Sequence, residues 1–246
     1  MLPLKIAVAQ APSIQGDVHA NILLHAEFIN IASAHGVAYL VFPELSLTGY
    51  EPELASALAF AVDDARLQPL VELAVANNMH IVVGAPIATD AKPSIGAFTI
   101  SPRGSIETYA KMHLHPGEDR YFSAGRTHQV ITVGGTKIAN AICADTNHRS
   151  HAEGCAESGA TIYIAGVLIT ARGYADDTQQ LQAHARNLNM LVAMANHSQP
   201  TGGWKPIGKS VIWAPSGLIA AANETSSALL IAEKRSTGWS GSAIEI

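Results

Sequence analysis

The chain has 246 residues, 48% hydrophobic and 14% charged, enough apolar material for one large α/β core. Its net charge of -5, with no run of Lys or Arg, excludes a phosphate-tracking basic surface and an electrostatic membrane anchor. Two cysteines in a chain of this size make no disulfide framework and fit a reducing compartment.

Strand and helix signals alternate from the start. "MLPLKIAVAQAP" turns polar too soon for a signal peptide and reads as a first strand around "KIAVAQ" (5–10). "NILLHAEFINIASAHG" has helical apolar spacing and ends in Gly36, a C-cap residue. "AYLVFP" (38–43) and "HIVVGAP" (80–86) are short apolar runs of the kind buried strands show. Between them, "DARLQPLVELAVANN" reads as a helix with Pro69 in its first turns. "AFTISPRGSIETYA" reads as a hairpin with Pro-Arg-Gly at its turn. No apolar run approaches the roughly 18 residues of a membrane span, so a cytoplasmic protein is expected.

The second half repeats this order. "KIANAIC" (137–143) echoes "KIAVAQA" (5–11), "SGATIYIAG" (158–166) echoes "HGVAYLVFP" (35–43), and "LNMLVAMAN" (188–196) echoes "NNMHIVVGA" (77–85). Pro102 and Gly104 match Pro215 and Gly217 at one common shift of 113. One reading is that buried α/β strands all look alike. The other is an internal β-α-β-α-β-β duplication. Two such halves, each sheet covered by helices on one face, bury their other faces by stacking, which predicts an α-β-β-α sandwich. No Pro/Gly/Ser linker divides the halves, so a single domain over 1–246 is expected.

Three residues carry chemistry at strand ends. Glu44, in "VFPELSLTGYEP", follows an apolar strand, where α/β sheets bind ligands; it also reads as a solvated loop carboxylate. Lys111, in "SIETYAKMHLHPGEDRYFSAG", reads as an edge charge or as a cation stabilising an oxyanion. His113 and His115 nearby are weak evidence for zinc, because a metal site needs more ligands. Cys143 reads as a small core residue or as a thiolate stabilised at a helix N-terminus. Cys155, mid-helix in "HAEGCAESGA", reads as core. The eleven histidines are scattered, and His148 is the nearest candidate base to Cys143.

"FPELSLTGY", "YAKMHLHPGE…YFSAG" and "AICAD" together resemble the three signature segments of the nitrilase superfamily, the carbon–nitrogen hydrolases. The resemblance runs in order along nearly the whole chain. It implies an α-β-β-α sandwich, in agreement with the duplication. It implies Glu44 as general base, Lys111 as catalytic lysine and Cys143 as nucleophile. Glu118, in "HPGE", resembles a second glutamate that supports the triad by orienting Lys111 or the substrate. The backbone N–H of Ala144 joins Lys111 in holding the oxyanion.

The implied activity is an amidase-type hydrolysis of a small carboxamide through a cysteine thioester, with water as the second substrate. No cofactor, metal, nucleic acid or membrane partner is expected, and a homodimer or larger homo-oligomer is. Nitrilase and N-carbamoyl amide hydrolase activities are variants of the same chemistry; a non-catalytic binding protein on the same fold is the alternative of another class.

The chain departs from the family pattern after the nucleophile. "CADTNHRSHAEG" keeps Asp145, but Ala144 replaces an aromatic residue and a Phe-Pro-Glu stretch is missing. The substrate pocket is therefore the part most altered. "GVLITARGYADD" and "NHSQPTGGWKPIG" are expected to shape it, with Tyr174 and Trp204 as substrate contacts. A carboxylate-bearing carbamoyl substrate would call on Arg149 or Arg172.

Overall fold

The computed structural model describes residues 3–246; the first two residues of the expected N-terminal stretch lie outside the described residues. In the first half, β1 (Lys5–Gln10) leads into α1 (Val18–Ala34), β2 (Tyr39–Val41), the short α2 (Ala55–Leu58), α3 (Gln68–Ala76), and β3 (His80–Ile87). The hairpin β4 (Ser94–Ile100) and β5 (Ile106–Ala110) completes it. After β6 (Gln129–Val133), the pattern starts again. It runs through β7 (Thr136–Ile142), α4 (Arg149–Glu157), β8 (Ile162–Val167), α5 (Tyr174–Asn187), β9 (Leu191–Asn196), β10 (Val211–Ala214) and β11 (Gly217–Ala221). A last hairpin, β12 (Ala228–Arg235) and β13 (Gly238–Glu245), ends the chain.

The sheet orders express the duplication. One sheet runs β13-β12-β1-β2-β3-β4-β5 and the other β11-β10-β9-β8-β7-β6. In each, three parallel strands are followed by an antiparallel pair: β1-β2-β3-β4-β5 corresponds to β7-β8-β9-β10-β11. The repeated turns hold Gly104 at φ 80 and Gly217 at φ 133, backbone that favours glycine. Outside the repeat lie β6, antiparallel to β7, and β12, antiparallel to β1. Neither was expected from the sequence echoes.

Side-chain alternation gives the central strands two buried faces, whereas β13 at the sheet edge has no buried residue. Ile6 and Val8 of β1 face the other sheet, whereas Ala7 and Ala9 face helices. The inter-sheet core also takes Tyr39, Val82, Ile138, Ile162, Ile164 and Leu191. On the outer face of the first sheet, Leu40, Phe42 and Ile81 pack on Phe28, Ile29 and Ala32 of α1 and Leu70 and Ala74 of α3. On the second, Tyr163, Val192 and Met194 pack on Ala152 and Cys155 of α4 and Leu181 and Ala185 of α5. The layers are thus α-β-β-α. Burial on both faces is why these strands read as continuous apolar runs rather than alternating ones.

One polar tie crosses the core. The Tyr39 hydroxyl donates to Asn140 Oδ1 at 2.8 Å, and Asn140 Nδ2 donates to Thr99 and Gln129 at 3.0 and 2.8 Å. Every polar atom there has a partner, which avoids the cost of a buried orphan. No helix among the described residues is long and apolar enough to cross a membrane.

Candidate active site

Glu44 follows β2 by three residues, on a segment squeezed between the sheets. A Cβ on Gly84 of β3 would lie 2.3 Å from the Leu45 nitrogen, and one on Gly166 of β8 would lie 2.6 Å from the Phe42 oxygen. Both strands therefore need glycine where this segment passes. Leu45 takes a left-handed φ of 51, a strained conformation for a branched residue. His197, just past β9, holds the segment from the second half: its Nε2 lies 2.8 Å from the Glu44 carbonyl. A carbonyl only accepts, so Nε2 carries the proton and Nδ1 is bare. Burial pushes this imidazole down to about 4, which keeps it neutral.

Lys111 follows β5 directly. Its side chain is fully buried and its ammonium donates to Glu44 Oε1 at 2.7 Å and to Glu118 Oε1 at 2.8 Å. Burial alone would depress this amine, but the surrounding carboxylates overcome that and hold it above its ordinary value. Glu118 is itself fixed. Its Oε1 also accepts from the Tyr50 hydroxyl at 2.7 Å, and its Oε2 accepts from the His115 N–H at 2.7 Å.

Cys143 opens a 3-10 turn, Cys143–Asn147, directly after β7, and adopts a φ of 44. The long helix expected at this point begins only at Arg149. The thiol reaches the Leu168 carbonyl at 3.7 Å. Burial, then the nearby Glu44 carboxylate, push it well above its ordinary value, against the pull of Lys111. This corrects the reading of a thiolate stabilised at a helix N-terminus: burial, not the turn that follows, governs the sulfur and favours its protonated form. Burial likewise pushes the Glu44 carboxyl up to about 7, with Lys111 opposing. Its Oε2 is buried and has no hydrogen-bond partner among the described residues.

Asp145 binds the two strand ends together. Its Oδ1 accepts from the N–H groups of Met112 and His113 at 3.1 and 2.9 Å, next to Lys111. Its Oδ2 accepts from the Ile142 N–H at 3.1 Å, next to Cys143, and from the Tyr109 hydroxyl at 2.6 Å. The hydroxyl lies 2.8 Å from His151 Nε2, which continues the network under α4.

A cavity of about 420 Å³ opens over this cluster. Glu44, Tyr50, Glu118, Cys143 and Ala144 form its floor; Leu168, Ile169, Arg172, Asp176, Asp177 and Trp204 are among its walls. As the first N–H past the cysteine in the turn, that of Ala144 has no partner within the turn.

Both loops singled out in the sequence reach the cavity. Trp204 lines it, half exposed. Tyr174 does not line it: its hydroxyl donates to the Lys209 carbonyl at 3.0 Å and its ring packs on the second outer core. Arg172 lines it, but Arg149 donates to Glu153 at 2.6 Å on the surface of α4. His148 stacks on His113 at 3.8 Å and is absent from the lining, whereas His115 is part of it. Sequence reasoning missed Tyr50, His197, Asp176 and Asp177. All four lay within quoted segments, Asp176, Asp177 and His197 in the two loops expected to shape the pocket, but the role of His197 was hidden because its partner is a backbone atom 153 positions away.

The family description "Carbon-nitrogen hydrolase" matches residues 5–238. The chain belongs to the carbon–nitrogen hydrolase family. It is 28% identical over 213 residues to a nitrilase of Pyrococcus abyssi, covering 84% of this chain and 80% of that one. It is 29% identical over 151 residues to the glutamine-dependent NAD(+) synthetase of Thermotoga maritima, 59% of this chain but only 26% of that longer protein. Among solved structures, the amidase of Nesterenkonia sp. AN1, from the nitrilase superfamily, superposes with a TM-score of 0.85. It is 24% identical, with 93% of this chain and 90% of that chain covered; at that identity the likeness is one of fold.

Proposed function

We propose that the protein is an amidase that hydrolyses a small carboxamide through a thioester on Cys143, with Glu44 and Lys111 completing a triad. The observation that carries this reading is the orphaned Oε2 of Glu44. It is a buried proton acceptor facing the same cavity as a thiol that burial pushes toward its protonated form. Two groups pushed up by burial toward their protonated forms suit a proton transfer from one to the other.

The sequence of steps follows from the contacts. Glu44 takes the thiol proton as the sulfur attacks the amide carbon. The ammonium of Lys111 has three protons and spends two on Glu44 and Glu118, leaving one for the developing oxyanion. The Ala144 N–H supplies a second donor. Each such donor lowers the barrier by about 3 kcal/mol. Glu44 then returns the proton to the departing nitrogen, ammonia or an amine leaves, and the thioester forms. Water gives its proton to Glu44 as it attacks the thioester; the C–S bond then breaks, Glu44 passes the proton to the Cys143 sulfur, and the acid is released. Glu118 positions Lys111 and moves no proton in this scheme, since all its contacts are fixed donors.

Two further facts support the reading. The Nesterenkonia amidase is described in complex with butyramide, and with the acetamide moiety of fluoroacetamide added covalently at its active-site cysteine. The inter-sheet core draws on both halves of the chain, which supports a single domain over 1–246.

Ammonia release from a panel of small amides, ω-amides, carbamoyl amino acids and nitriles tests the assignment. Turnover of amides by the protein and none by Cys143→Ala supports it. Turnover of nitriles alone makes it a nitrilase. Ligand binding without release from any member leaves the non-catalytic reading.

A further inference from the structure

The wall of the cavity beyond the thiol carries more negative than positive charge. Asp176 and Asp177, in the first turn of α5, line it together with Arg172: two carboxylates against one guanidinium. None of the three forms an ion pair among the described residues. Asp177 is the fixed member. Asn147, from the turn that carries Cys143, donates to its Oδ1 at 2.9 Å. Its carboxyl is pushed up by burial, so it sits where a cationic partner gains most by approaching. Trp204 lines the same space, and an indole face attracts cations more strongly than other rings do.

The carboxylates alone would describe only an acidic helix end. The same cavity joins them to the reacting groups: Glu44 Oε2, buried and without a hydrogen-bond partner, and Cys143 line its floor, so a carboxamide seated there presents its far end to this wall.

Resting on the amidase reading above, we propose that the substrate is a primary amide carrying an ammonium group at its other end. The amide reaches Cys143, and the ammonium is held by Asp177 with Asp176 and Trp204 around it. The preference is written into "ARGYADD" and "GGW", within the two loops expected to shape the pocket. A carboxylate at that end faces the two aspartates and gains only Arg172 and the His115 ring.

The test compares four amides of similar length: δ-aminovaleramide (cationic), hexanamide (neutral), glutaramate (anionic) and glutamine (zwitterionic). The expected result is a kcat/KM for δ-aminovaleramide about ten- to hundredfold above hexanamide, the worth of a charge-assisted hydrogen bond. In Asp177→Asn that ratio collapses toward one, and Asp177→Glu restores part of it. Iodoacetamide labelling of Cys143 in each variant reports an intact site. Equal rates on the cationic and neutral amides, or faster turnover of glutaramate or glutamine, overturn the charge assignment and leave the amidase standing. No ammonia from any of the four, with Cys143 labelled no faster than Cys155, defeats the hydrolase reading itself.

Discussion

The ammonium of Lys111 lies 2.7 Å from Glu44 Oε1, and neither side chain has any exposed surface. A second carboxylate, Glu118, shares the same ammonium at 2.8 Å. Lys111→Met therefore leaves two carboxylates buried with no cation. Breaking a buried pair in this way costs about 3–5 kcal/mol of stability. We expect a lower midpoint in urea and a loss in kcat. A rise in KM with kcat unchanged would show that Lys111 binds substrate without stabilising the transition state.

Cys143→Ala should abolish turnover and leave the thermal transition close to that of the parent protein. The side chain is small, borders the cavity, and touches a backbone carbonyl only at 3.7 Å. Activity retained within about tenfold contradicts the assignment. Iodoacetamide should label Cys143 before Cys155, since Cys143 borders the cavity beside Glu44 whereas Cys155 has no exposed surface.

The pH dependence follows from Glu44. Its ordinary value is 4.5 and the folded value is about 7, raised by burial against the pull of Lys111. As general base it must be ionised, so kcat/KM should climb with pH through about 7. Stability moves the other way. Between about pH 4.5 and 7 the unfolded chain releases this proton while the folded protein keeps it. The contribution of Glu44 is complete below that window and is lost as pH rises through it. A kcat/KM already flat from pH 5 upward would remove Glu44 from the role of base.

Asp145→Asn should impair catalysis without touching the substrate. The carboxylate accepts backbone N–H groups beside both Lys111 and Cys143, and a carboxamide nitrogen at either oxygen position would oppose a donor. We expect a loss of about 1–3 kcal/mol in stability from the unsatisfied donors. A fall in kcat larger than any change in KM should accompany it. An unchanged kcat would mean that the strand ends hold their spacing without this tie.

Gly84→Ala tests the placement of Glu44 by sterics alone. The new methyl would meet the Leu45 nitrogen at 2.3 Å and the Pro43 oxygen at 2.8 Å, both backbone atoms that cannot rotate away. The segment must shift, and a misplacement of about 1 Å can lower the rate about a hundredfold. Equal activity in this variant would show that the segment has slack.

Local patterning was enough to reveal the repeated elements and their duplication, though not β6 or the last hairpin, because a strand buried on both faces and a helix with one apolar stripe leave their periods in the sequence. The shared shift of Pro102–Gly104 and Pro215–Gly217 is legible for the same reason: each pair serves one turn, and the turn demands those residues wherever it occurs. Glu44, Lys111, Glu118 and Cys143 were legible as strand-end residues in motifs resembling a family.

What the chain order could not reveal was everything that depends on distance across the sandwich. Tyr50 supports Glu118 from 68 positions away, and His197 braces the Glu44 carbonyl from 153. The sequence left Cys143 open between a core thiol and a stabilised thiolate, because burial, which only the stacked sheets create, acts on the sulfur against the nearby turn. Tyr174 looked like a pocket residue by its loop, yet the turn of α5 directs its ring into the core while Asp177, three residues on, faces the cavity. Sequence by itself determined the layers and the reactive residue types; the tertiary structure decided which of them share a low-dielectric space, and there a missing hydrogen bond or an unpaired charge becomes chemistry.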